Sequence, residues 1–395
     1  MKIAISAVGI DNHAGTGRHV AQLIGHLIKI DHDNEYLIFL SRKQKEDIRV
    51  ERNANNFRWF IIPEIMHNVF LGTILNITYI YYKLVSEKVD LVHFLEMNRC
   101  YIPRFCHILV TVHGLIAIQV NNKDGMLRSF YHKKGEPFAL KRANHIIAVS
   151  NNTKMDIIKF VHIPEKKISI IPNGCIDWPE GSVNFERSTN PNIRKIQNPY
   201  ILFVSRIEHP NKNHVGLLHA FRTMLNKKKQ SIQLVFVGEE GWRAEVVKKT
   251  INDLDLNNYV ILTGFVSDLE LKTLYSKARA LIMPSLYEGF GIPVIEAMSM
   301  GIPVACSDTS SLKEIAQDAA VVFDPEKNEE IVEALIKVLW DEKTREKLKE
   351  KGLKRASEFT WPEIANNTVE LYKSISGFQK KGDLPPFIVP PVKSR

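Results

Sequence analysis

The chain has 395 residues, 45% of them hydrophobic and 25% charged, which is typical of a soluble globular protein and leaves room for two domains without disulfide bonds. A formal net charge of +9 is compatible with nucleic acid, an anionic membrane face or phosphate-bearing substrates, and the sequence contains no nucleic-acid-binding motif, which favours the last two. The four cysteines show neither CxxC nor zinc-like spacing, which predicts reduced, buried residues in a cytosolic protein.

Strand-like runs alternate with helical or polar segments through the N-terminal half. The runs cover residues 2–10, 36–40, 57–62, 91–94, 108–112 and 145–149. The first run lacks a signal-peptide cleavage pattern, and the apolar segment 70–85 is too short and too interrupted for a membrane-spanning helix. The alternation predicts a parallel sheet with helices on both faces.

A glycine-containing loop joins the first strand to the first helix and carries Gly15, Gly17 and Arg18. Backbone N–H groups at such a helix N-terminus can bind an anion, although the same pattern also suits a tight turn. No third glycine follows at the spacing of the dinucleotide-binding fingerprint. The loop is therefore a candidate for binding a phosphate group.

Two later features of this half also bear on function. His113 directly follows a predicted strand, where a histidine either contacts a ligand or packs in the fold. Residues 115–145 mix cationic with aromatic and aliphatic side chains, which suits either a solvated helix face or a surface that docks on an anionic membrane leaflet. The cations there are Arg128, His132, Lys133, Lys134, Lys141 and Arg142.

The C-terminal half follows a segment, 176–198, whose proline, glycine and serine residues predict an interdomain linker. The strand-like run 200–204 precedes Arg206 and Lys212, two cations that flank one loop and could bind a single anion. Further strands are predicted at 231–237, 260–263, 279–284 and 302–306. The second of these ends at Gly264, Phe265 and Val266.

The chain closes with helical patterns and a polar tail. Amphipathic helices are predicted at 329–340 and 344–359, and another begins at Trp361. The tail 378–395 is rich in lysine and proline, which predicts disorder.

Two carboxylates stand at either end of a short apolar stretch in this half. Glu288 falls in a predicted strand-to-helix loop, and Glu296 falls one turn into a helix that starts near Pro293 and stops at Gly301. Such loops lie at the carboxyl ends of parallel strands, where ligands bind. The intervening glycines would let the backbone approach a ligand closely. The stretch between the carboxylates includes Gly289, Phe290, Gly291 and Ile292.

This stretch resembles the E-x7-E signature of the retaining glycosyltransferases of family 4, including its Pro-Ser, Gly-Phe-Gly, Pro and Glu-Ala-Met elements. The resemblance implies the GT-B fold, an α/β architecture of two Rossmann-like domains whose parallel sheets face each other across a cleft. It would give an acceptor domain at 1–175, a linker at 176–198, a nucleotide-sugar domain at 199–360 and a helix, 361–377, that crosses back to the first domain.

The resemblance also implies roles for single residues. Arg206, Lys212 and the loop of Gly15, Gly17 and Arg18 would bind the donor diphosphate, and residues 264–266 would approach the base. Glu296 would bind the ribose and Glu288 the transferred sugar. His113 would contact that sugar, although Gly114 replaces the aspartate of the family pattern. No metal ion or cofactor is expected, since Arg206 and Lys212 would supply the positive charge at the diphosphate.

The function implied is that of a retaining, metal-independent glycosyltransferase in surface polysaccharide or glycolipid synthesis, with Glu288, His113, Arg206 and Lys212 as its catalytic residues. GDP-mannose is the favoured donor, and a UDP-sugar donor stays open. The expected partners are a nucleotide sugar and a glycan or lipid-linked acceptor, with no nucleic acid, in a cytoplasmic protein that could touch the inner membrane face. A sugar-nucleotide 2-epimerase and a catalytically silent sugar-nucleotide-binding partner are the alternatives.

Overall fold

The computed structural model describes residues 1–10, 15–48, 54–63, 74, 76–97, 105–115, 135–197, 199–228 and 230–377. These residues divide into two compact units. Unit 1 comprises Met1–Gly174 and Thr360–Arg395, and unit 2 comprises Cys175–Phe359. The predictions for Cys100, for the segment 116–134 and for the tail 378–395 lie outside the described residues.

Unit 1 is built, in its described part, on seven parallel strands in the order β3-β2-β1-β4-β5-β6-β7. The strands are β1 Lys2–Ser6, β2 Glu35–Leu40, β3 Phe57–Ile61, β4 Leu91–Phe94, β5 His107–Val112, β6 His145–Ala148 and β7 Ile168–Ile170. Its α-helices up to that point are α1 Gly15–Ile30, α2 Arg42–Asp47, α3 Tyr81–Ser86, α4 Glu136–Arg142 and α5 Asn151–Asp156. A π-helical turn, Asn76–Ile80, leads into α3, and another, Ile157–Val161, follows α5.

Alternate residues of β1 enter two different cores. Ile3 and Ile5 pack in one hydrophobic cluster, whereas Ala4 packs in the other. Successive strand side chains point to opposite faces, so both faces of this sheet are covered, as expected of a parallel sheet between helices. The prediction that the first strand reaches residue 10 is wrong, because the chain turns after Ser6 and Gly9 adopts a φ of +84°.

Unit 2 contains, among its described residues, six parallel strands in the order β10-β9-β8-β11-β12-β13. The strands are β8 Tyr200–Val204, β9 Gln233–Val237, β10 Val260–Leu262, β11 Ala280–Met283, β12 Val304–Ser307 and β13 Val321–Phe323. The helices are α6 His214–Lys228, α7 Ala244–Asp253, α8 Asp268–Lys277, α9 Ile292–Ser299, α10 Ser310–Ala316, α11 Asn328–Trp340 and α12 Glu342–Ala356. The predicted α/β class with two parallel sheets is confirmed.

Residues 176–197, most of the predicted linker, belong to unit 2, and single side chains anchor them to the rest of that unit. Ile193 is fully buried, and Asn190 Nδ2 donates a 3.0 Å hydrogen bond to the Thr263 carbonyl. Ser188 Oγ donates a 2.8 Å bond to Glu270 Oε1. Periodicity is absent here because the segment contributes single anchoring residues and two short 3-10 turns, Phe185–Arg187 and Ile193–Lys195, instead of a continuous element.

The last described helix, α13 Trp361–Gly377, belongs to unit 1. Its Tyr372 hydroxyl lies 2.7 Å from His93 Nδ1 on β4, and Ile364 and Leu371 enter the same core cluster as Ile3. In the residues that the structure describes, no helix combines the length and apolar character needed to cross a bilayer. Cys106 and Cys175 are partly exposed and Cys306 is buried, so the prediction of buried cysteines holds only for the last.

Candidate active site

The carboxyl edge of the unit 2 sheet gathers the sequence-predicted residues of that unit. Arg206 follows β8, Gly264 follows β10 and Glu288 follows β11. Since these strands are parallel neighbours or next neighbours in the sheet, their following loops meet at one edge. The edge is therefore the candidate active site of this unit.

The loop after β8 is held by a buried histidine that the sequence analysis did not single out. His214 is fully buried, with Nδ1 3.3 Å from the Glu208 carbonyl and Nε2 3.4 Å from Ser205 Oγ. Burial lowers its pKa to about 3, so the ring is neutral and Nδ1 carries the proton that it donates to Glu208. The loop containing Arg206 and Lys212 is thereby tied back to the start of α6.

Lys212 and Glu288 form an ion pair that joins two loops of this edge. Lys212 Nζ donates a 2.7 Å hydrogen bond to Glu288 Oε1, and the two side chains are 20% and 12% exposed. The Leu286 N–H also donates a 2.8 Å bond to the Asn211 carbonyl. The structure thus brings together two residues that the sequence analysis assigned to different parts of the donor.

Arg206 extends from the same loop with its side chain 50% exposed. Its Nη2 lies 3.9 Å from Glu239 Oε2 in the loop after β9. A Cβ atom on Gly241 would lie 2.8 Å from the Arg206 Cγ and Cδ atoms, so only glycine leaves room for the arginine stem there. The Arg206 stem thus packs against Gly241, and its half-exposed guanidinium is accessible to an anion.

Hydroxyl groups surround Glu288. Ser285 Oγ donates a 2.7 Å bond to Glu288 Oε1. Ser310 Oγ accepts a 2.9 Å bond from the Glu288 N–H, and Ser311 Oγ donates a 2.9 Å bond to the Glu288 carbonyl. The sequence analysis gave no separate role to these three serines; the run Thr309-Ser310-Ser311, just after β12, was the available signal for two of them.

Glu296 lies in α9, as predicted, and is completely buried. Tyr275 Oη donates a 2.8 Å hydrogen bond to Glu296 Oε2. Pro293 is in the first turn of α9, and Gly301 follows the helix with a φ of +67°, as the sequence indicated. Of the two carboxylates, only Glu288 has an accessible side chain in this structure.

The glycine and phenylalanine between the carboxylates serve packing more than the sequence suggested. Phe290 is 3% exposed and packs edge-on against Phe359 with ring centroids 5.7 Å apart, so its ring is held in the core. Gly291 adopts a φ of +101°, and a Cβ there would lie 2.6 Å from Leu312 Cδ2. Ile292 begins α9, and Gly289 precedes Phe290 in the loop.

The loop after β10 combines an open backbone with an exposed ring. Gly264 has a φ of +71° and nothing within 4 Å of the position of a Cβ. Its carbonyl accepts a 3.1 Å bond from the Gly238 N–H, which links the ends of β9 and β10. Phe265 is 49% exposed, whereas Val266 is 4% exposed. An exposed aromatic ring at this edge offers a stacking surface for a planar group.

In unit 1 the predicted glycine-containing loop is helical from Gly15 onward, where the described residues resume. Gly15, Gly17 and Arg18 form the first turns of α1, which begins at Gly15. The helix starts earlier than predicted because Val20, Leu23 and Leu27 bury one face continuous with this turn. The three residues therefore stand in the first turn of the described helix, the end at which the helix dipole favours anions.

His113 follows β5 and is partly buried. Its Nε2 lies 3.0 Å from the Leu95 carbonyl, and burial lowers its pKa to about 4. A carbonyl can only accept, so Nε2 carries the proton of the neutral ring and Nδ1 is a hydrogen-bond acceptor. His113 is therefore suited to accept a bond from a hydroxyl group rather than to donate a proton.

A second histidine, which the sequence analysis missed, packs against the first. The His19 ring lies 4.8 Å from the His113 ring, edge to face, and His19 Nδ1 is 2.7 Å from Asn173 Oδ1. Burial, and next the neighbouring His113, lower the His19 pKa well below its usual value. Asn173, in the segment Pro172-Asn173-Gly174 after β7, thus supports the histidine pair.

In the described ranges of both units, no three histidine, cysteine or carboxylate side chains are grouped so that they could hold a metal ion. The candidate site of unit 2 is accordingly a set of two cations, an accessible carboxylate and its hydroxyl partners. These groups can bind a polyanion and hydroxyl groups at the same edge.

Comparison with known families agrees with the motifs. A model of glycosyltransferase family 4 matches residues 13–176, and a model of glycosyl transferases group 1 matches residues 185–355. The two matches together span most of the chain. The chain belongs to the family 4 glycosyltransferases.

Relatives of this family 4 chain include the O-antigen chain mannosyltransferase B of Escherichia coli, 32% identical over 62% of this chain and 64% of that protein. The chain spans less than two thirds of the length of the first curated relatives that it matches. Sucrose-phosphate synthase from Thermosynechococcus elongatus is similar in structure, with a TM-score of 0.73 at 20% identity over 95% of this chain and 99% of that one. Anabaena HepE in complex with UDP and glucose has a TM-score of 0.69 at 16% identity over 95% and 100% of the two chains. The predicted GT-B fold is thereby confirmed.

Proposed function

We propose that this protein transfers a sugar from a nucleoside-diphosphate donor to a glycan or lipid-linked glycan, with retention of anomeric configuration and without a metal ion. The observation that carries the proposal is the Lys212–Glu288 pair, 2.7 Å apart, at the carboxyl edge of the unit 2 sheet. Family membership supports the reaction class. The similarity to an O-antigen chain mannosyltransferase favours GDP-mannose as donor and surface polysaccharide or glycolipid as product.

In this proposal Lys212 and Arg206 stabilise the leaving diphosphate. An ammonium group has three N–H donors, so the bond from Lys212 to Glu288 leaves two for phosphate oxygens. The half-exposed Arg206 adds a planar fork that suits two oxygens at once. Each preorganised donor of this kind is worth on the order of 10²- to 10³-fold in rate.

Glu288 acts on the transferred sugar. Its Oε1 accepts bonds from both Lys212 and Ser285, which leaves Oε2 to accept from a sugar hydroxyl. A carboxylate there also stabilises positive charge that develops on the sugar ring as the bond to the diphosphate breaks. The acceptor hydroxyl attacks on the face from which the diphosphate leaves, and a phosphate oxygen takes its proton, so no side-chain nucleophile is required.

The remaining donor contacts follow from the same alignment of motifs. Glu296, whose carboxylate is buried and bonded to Tyr275 in this structure, would accept bonds from the two ribose hydroxyls once its side chain turns toward the donor. The base would lie at the loop after β10, beside the exposed ring of Phe265. In unit 1, the acceptor Nδ1 of His113 suits a sugar hydroxyl, and the N-terminus of α1 suits a phosphate.

The first test is thermal stabilisation by GDP, UDP and ADP in buffer containing EDTA. A nucleotide present at 100 times its Kd stabilises the folded state by about 2.7 kcal/mol, which raises the Tm of a unit of this size by about 5–11 °C. GDP is expected to give that shift, and Arg206→Ala is expected to reduce it. A Tm that no nucleotide raises, or that rises only when a divalent ion replaces EDTA, would contradict the diphosphate site.

The second test follows the sugar itself. Incubation with GDP-mannose and a lipid-linked glycan acceptor is expected to release GDP and to give a mannosylated product whose anomeric proton signal has the configuration of the donor. Interconversion of the sugar nucleotide without release of nucleotide would instead indicate a 2-epimerase. Binding of nucleotide without either reaction, in the presence of lipid-linked acceptors, would indicate a silent binding partner.

Peripheral contact with the inner membrane leaflet is part of the same proposal. In α4, Phe138 is 58% exposed and the Arg142 guanidinium lies 5.7 Å from its ring. An exposed ring beside cations is suited to an anionic lipid surface. Co-sedimentation with vesicles containing phosphatidylglycerol is expected to be weakened by Phe138→Ser and by 0.5 M salt.

A further inference from the structure

Two consecutive serines at the start of α10 hold the backbone of Glu288 on both sides of its Cα. Ser310 Oγ accepts a 2.9 Å bond from the Glu288 N–H, and Ser311 Oγ donates a 2.9 Å bond to the Glu288 carbonyl. With both peptide groups fixed, the direction in which the Glu288 side chain leaves the loop is fixed as well. Helix α10 therefore acts as a clamp on the loop after β11.

The same segment also holds the other end of that loop. The Ser285 carbonyl accepts bonds from Ser307 Oγ, at 2.5 Å, and from Thr309 Oγ1, at 3.1 Å. Ser285 is itself the residue whose hydroxyl donates to Glu288 Oε1. The chain from Ser307 to Ser311 thus fixes the carboxylate through its backbone and through its hydrogen-bond donor.

The backbone conformation at position 310 is unfavourable for serine. We therefore attribute the presence of serine there to the hydrogen bond of its hydroxyl group. Ser310 has a φ of +50°, in the left-handed region that costs a residue with a Cβ about 1–2 kcal/mol. Glycine would adopt this conformation without that cost. Strain of this kind is found at functional sites, where the surrounding structure holds it in place.

We propose that Ser310 and Ser311 are positioning residues for Glu288, which hold its carboxylate at the transferred sugar. The inference rests on the proposed function and adds to it the residues that orient the sugar-binding carboxylate. Nucleotide affinity depends less than catalysis on the two serines, because the clamp acts on the loop of Glu288, which contacts Lys212 but not Arg206. Loss of the clamp lowers kcat and leaves nucleotide binding in place.

Ser310→Gly separates positioning from folding. The variant relieves the backbone strain but removes one hydrogen bond; the two effects offset, so its stability is expected to be close to that of the wild type. Its kcat for GDP release from GDP-mannose is expected to fall ~10- to 100-fold, the effect of a small misplacement of a reacting group. Its Kd for GDP, measured by calorimetry with EDTA present, is expected to stay within about twofold.

A matched control exists at the other end of the same helix. Gln317 follows α10 with a φ of +48°, so Gln317→Gly also relieves a positive φ without touching Glu288. This control is expected to be at least as stable as the wild type and to keep its kcat. Ser311→Ala is expected to lower kcat at constant GDP affinity, as Ser310→Gly does.

The outcomes distinguish this inference from the proposed function. If Ser310→Gly and Ser311→Ala keep the wild-type kcat while Glu288→Gln loses activity, the positioning role is wrong and the proposed function stands. If kcat falls only in step with Tm, the serines are merely structural and the inference is overturned. If the wild type neither binds GDP, UDP or ADP nor releases nucleotide from their sugar conjugates, the proposed function fails and takes the inference with it.

Discussion

Replacement of Lys212 by methionine removes the counter-charge of Glu288 while keeping a side chain of similar length. In the wild type, Nζ and Oε1 are 2.7 Å apart, and the two side chains are only 20% and 12% exposed. The variant leaves a largely desolvated carboxylate with Ser285 as the hydrogen-bond donor to its Oε1. We expect the variant to be both less stable and less active.

The loss of unfolding free energy expected for Lys212→Met lies between two limits. Exposed ion pairs contribute about 0–1 kcal/mol, whereas removing one partner of a fully buried pair costs about 3–5 kcal/mol. Because the Lys212–Glu288 pair is mostly but not fully buried, and because Ser285 continues to donate, the expected loss is about 2 kcal/mol. For a unit of this size that corresponds to a Tm lower by about 4–8 °C.

The assay is thermal or denaturant unfolding of Lys212→Met, Glu288→Gln and the double variant. Glutamine is neutral and needs no counter-charge. The loss of unfolding free energy in the double variant is therefore expected to be smaller than the sum of the two single losses, by about 1 kcal/mol or more. Lys351→Met, which breaks the ion pair with the 77%-exposed Asp318, is the control and is expected to cost at most about 1 kcal/mol.

Additivity would refute the reasoning. If the losses of the two single variants sum to that of the double variant within about 0.3–0.5 kcal/mol, the two charges do not interact. A Lys212→Met loss no larger than that of the Lys351→Met control would show that the pair is solvated like any surface pair. Either result would also remove the structural support for placing both residues at one donor.

Three further predictions concern residues around the two sites. Gly291→Ala is expected to cost about 3 kcal/mol, because it combines a positive φ with overlap on Leu312; an unchanged Tm would contradict this. Tyr275→Phe is expected to cost about 2 kcal/mol by removing the donor to the buried Glu296 carboxylate, and an unchanged free energy of unfolding would show that the bond adds nothing. Burial lowers the pKa of His93 to about 3, below its unfolded value near 6.5, so its stability contribution is present above about pH 6.5 and lost as pH falls toward 3. His93→Gln is therefore expected to reduce the slope of the unfolding free energy against pH, between pH 6 and 4, by about 1.4 kcal/mol per pH unit. An unchanged slope would show that His93 is not the group that takes up a proton on unfolding.

The strands were predictable because their signal is local. Continuous apolar runs such as Tyr200–Val204 and Ala280–Met283 form buried parallel strands, and a buried parallel strand needs little else from the sequence. The position of Glu296 one turn into α9 was predictable for the same reason, since Pro293 and Gly301 mark the helix ends. Local chemistry thus determined where the loops of the site begin.

The contacts between loops were not predictable, because they join residues far apart in the chain. Lys212 and Glu288 are separated by 76 positions, and no spacing rule pairs them. The burial of Phe290 depends on Phe359, which comes from the segment after α12. The first turn of α1 was misassigned as a loop because glycine is a poor helix former, whereas the packing of the following apolar face overrides that preference.

The return of α13 to unit 1 determines the order in which the chain can complete its folding. Unit 2 is one continuous segment, Cys175–Phe359, whereas the core of unit 1 includes Trp361, Leu371 and Tyr372. During synthesis, the whole of unit 2 is made before α13. The strands of unit 1 therefore lack the packing partners that α13 supplies until after unit 2 is complete. Part of the apolar surface of the N-terminal sheet therefore stays uncovered until α13 has emerged from the ribosome.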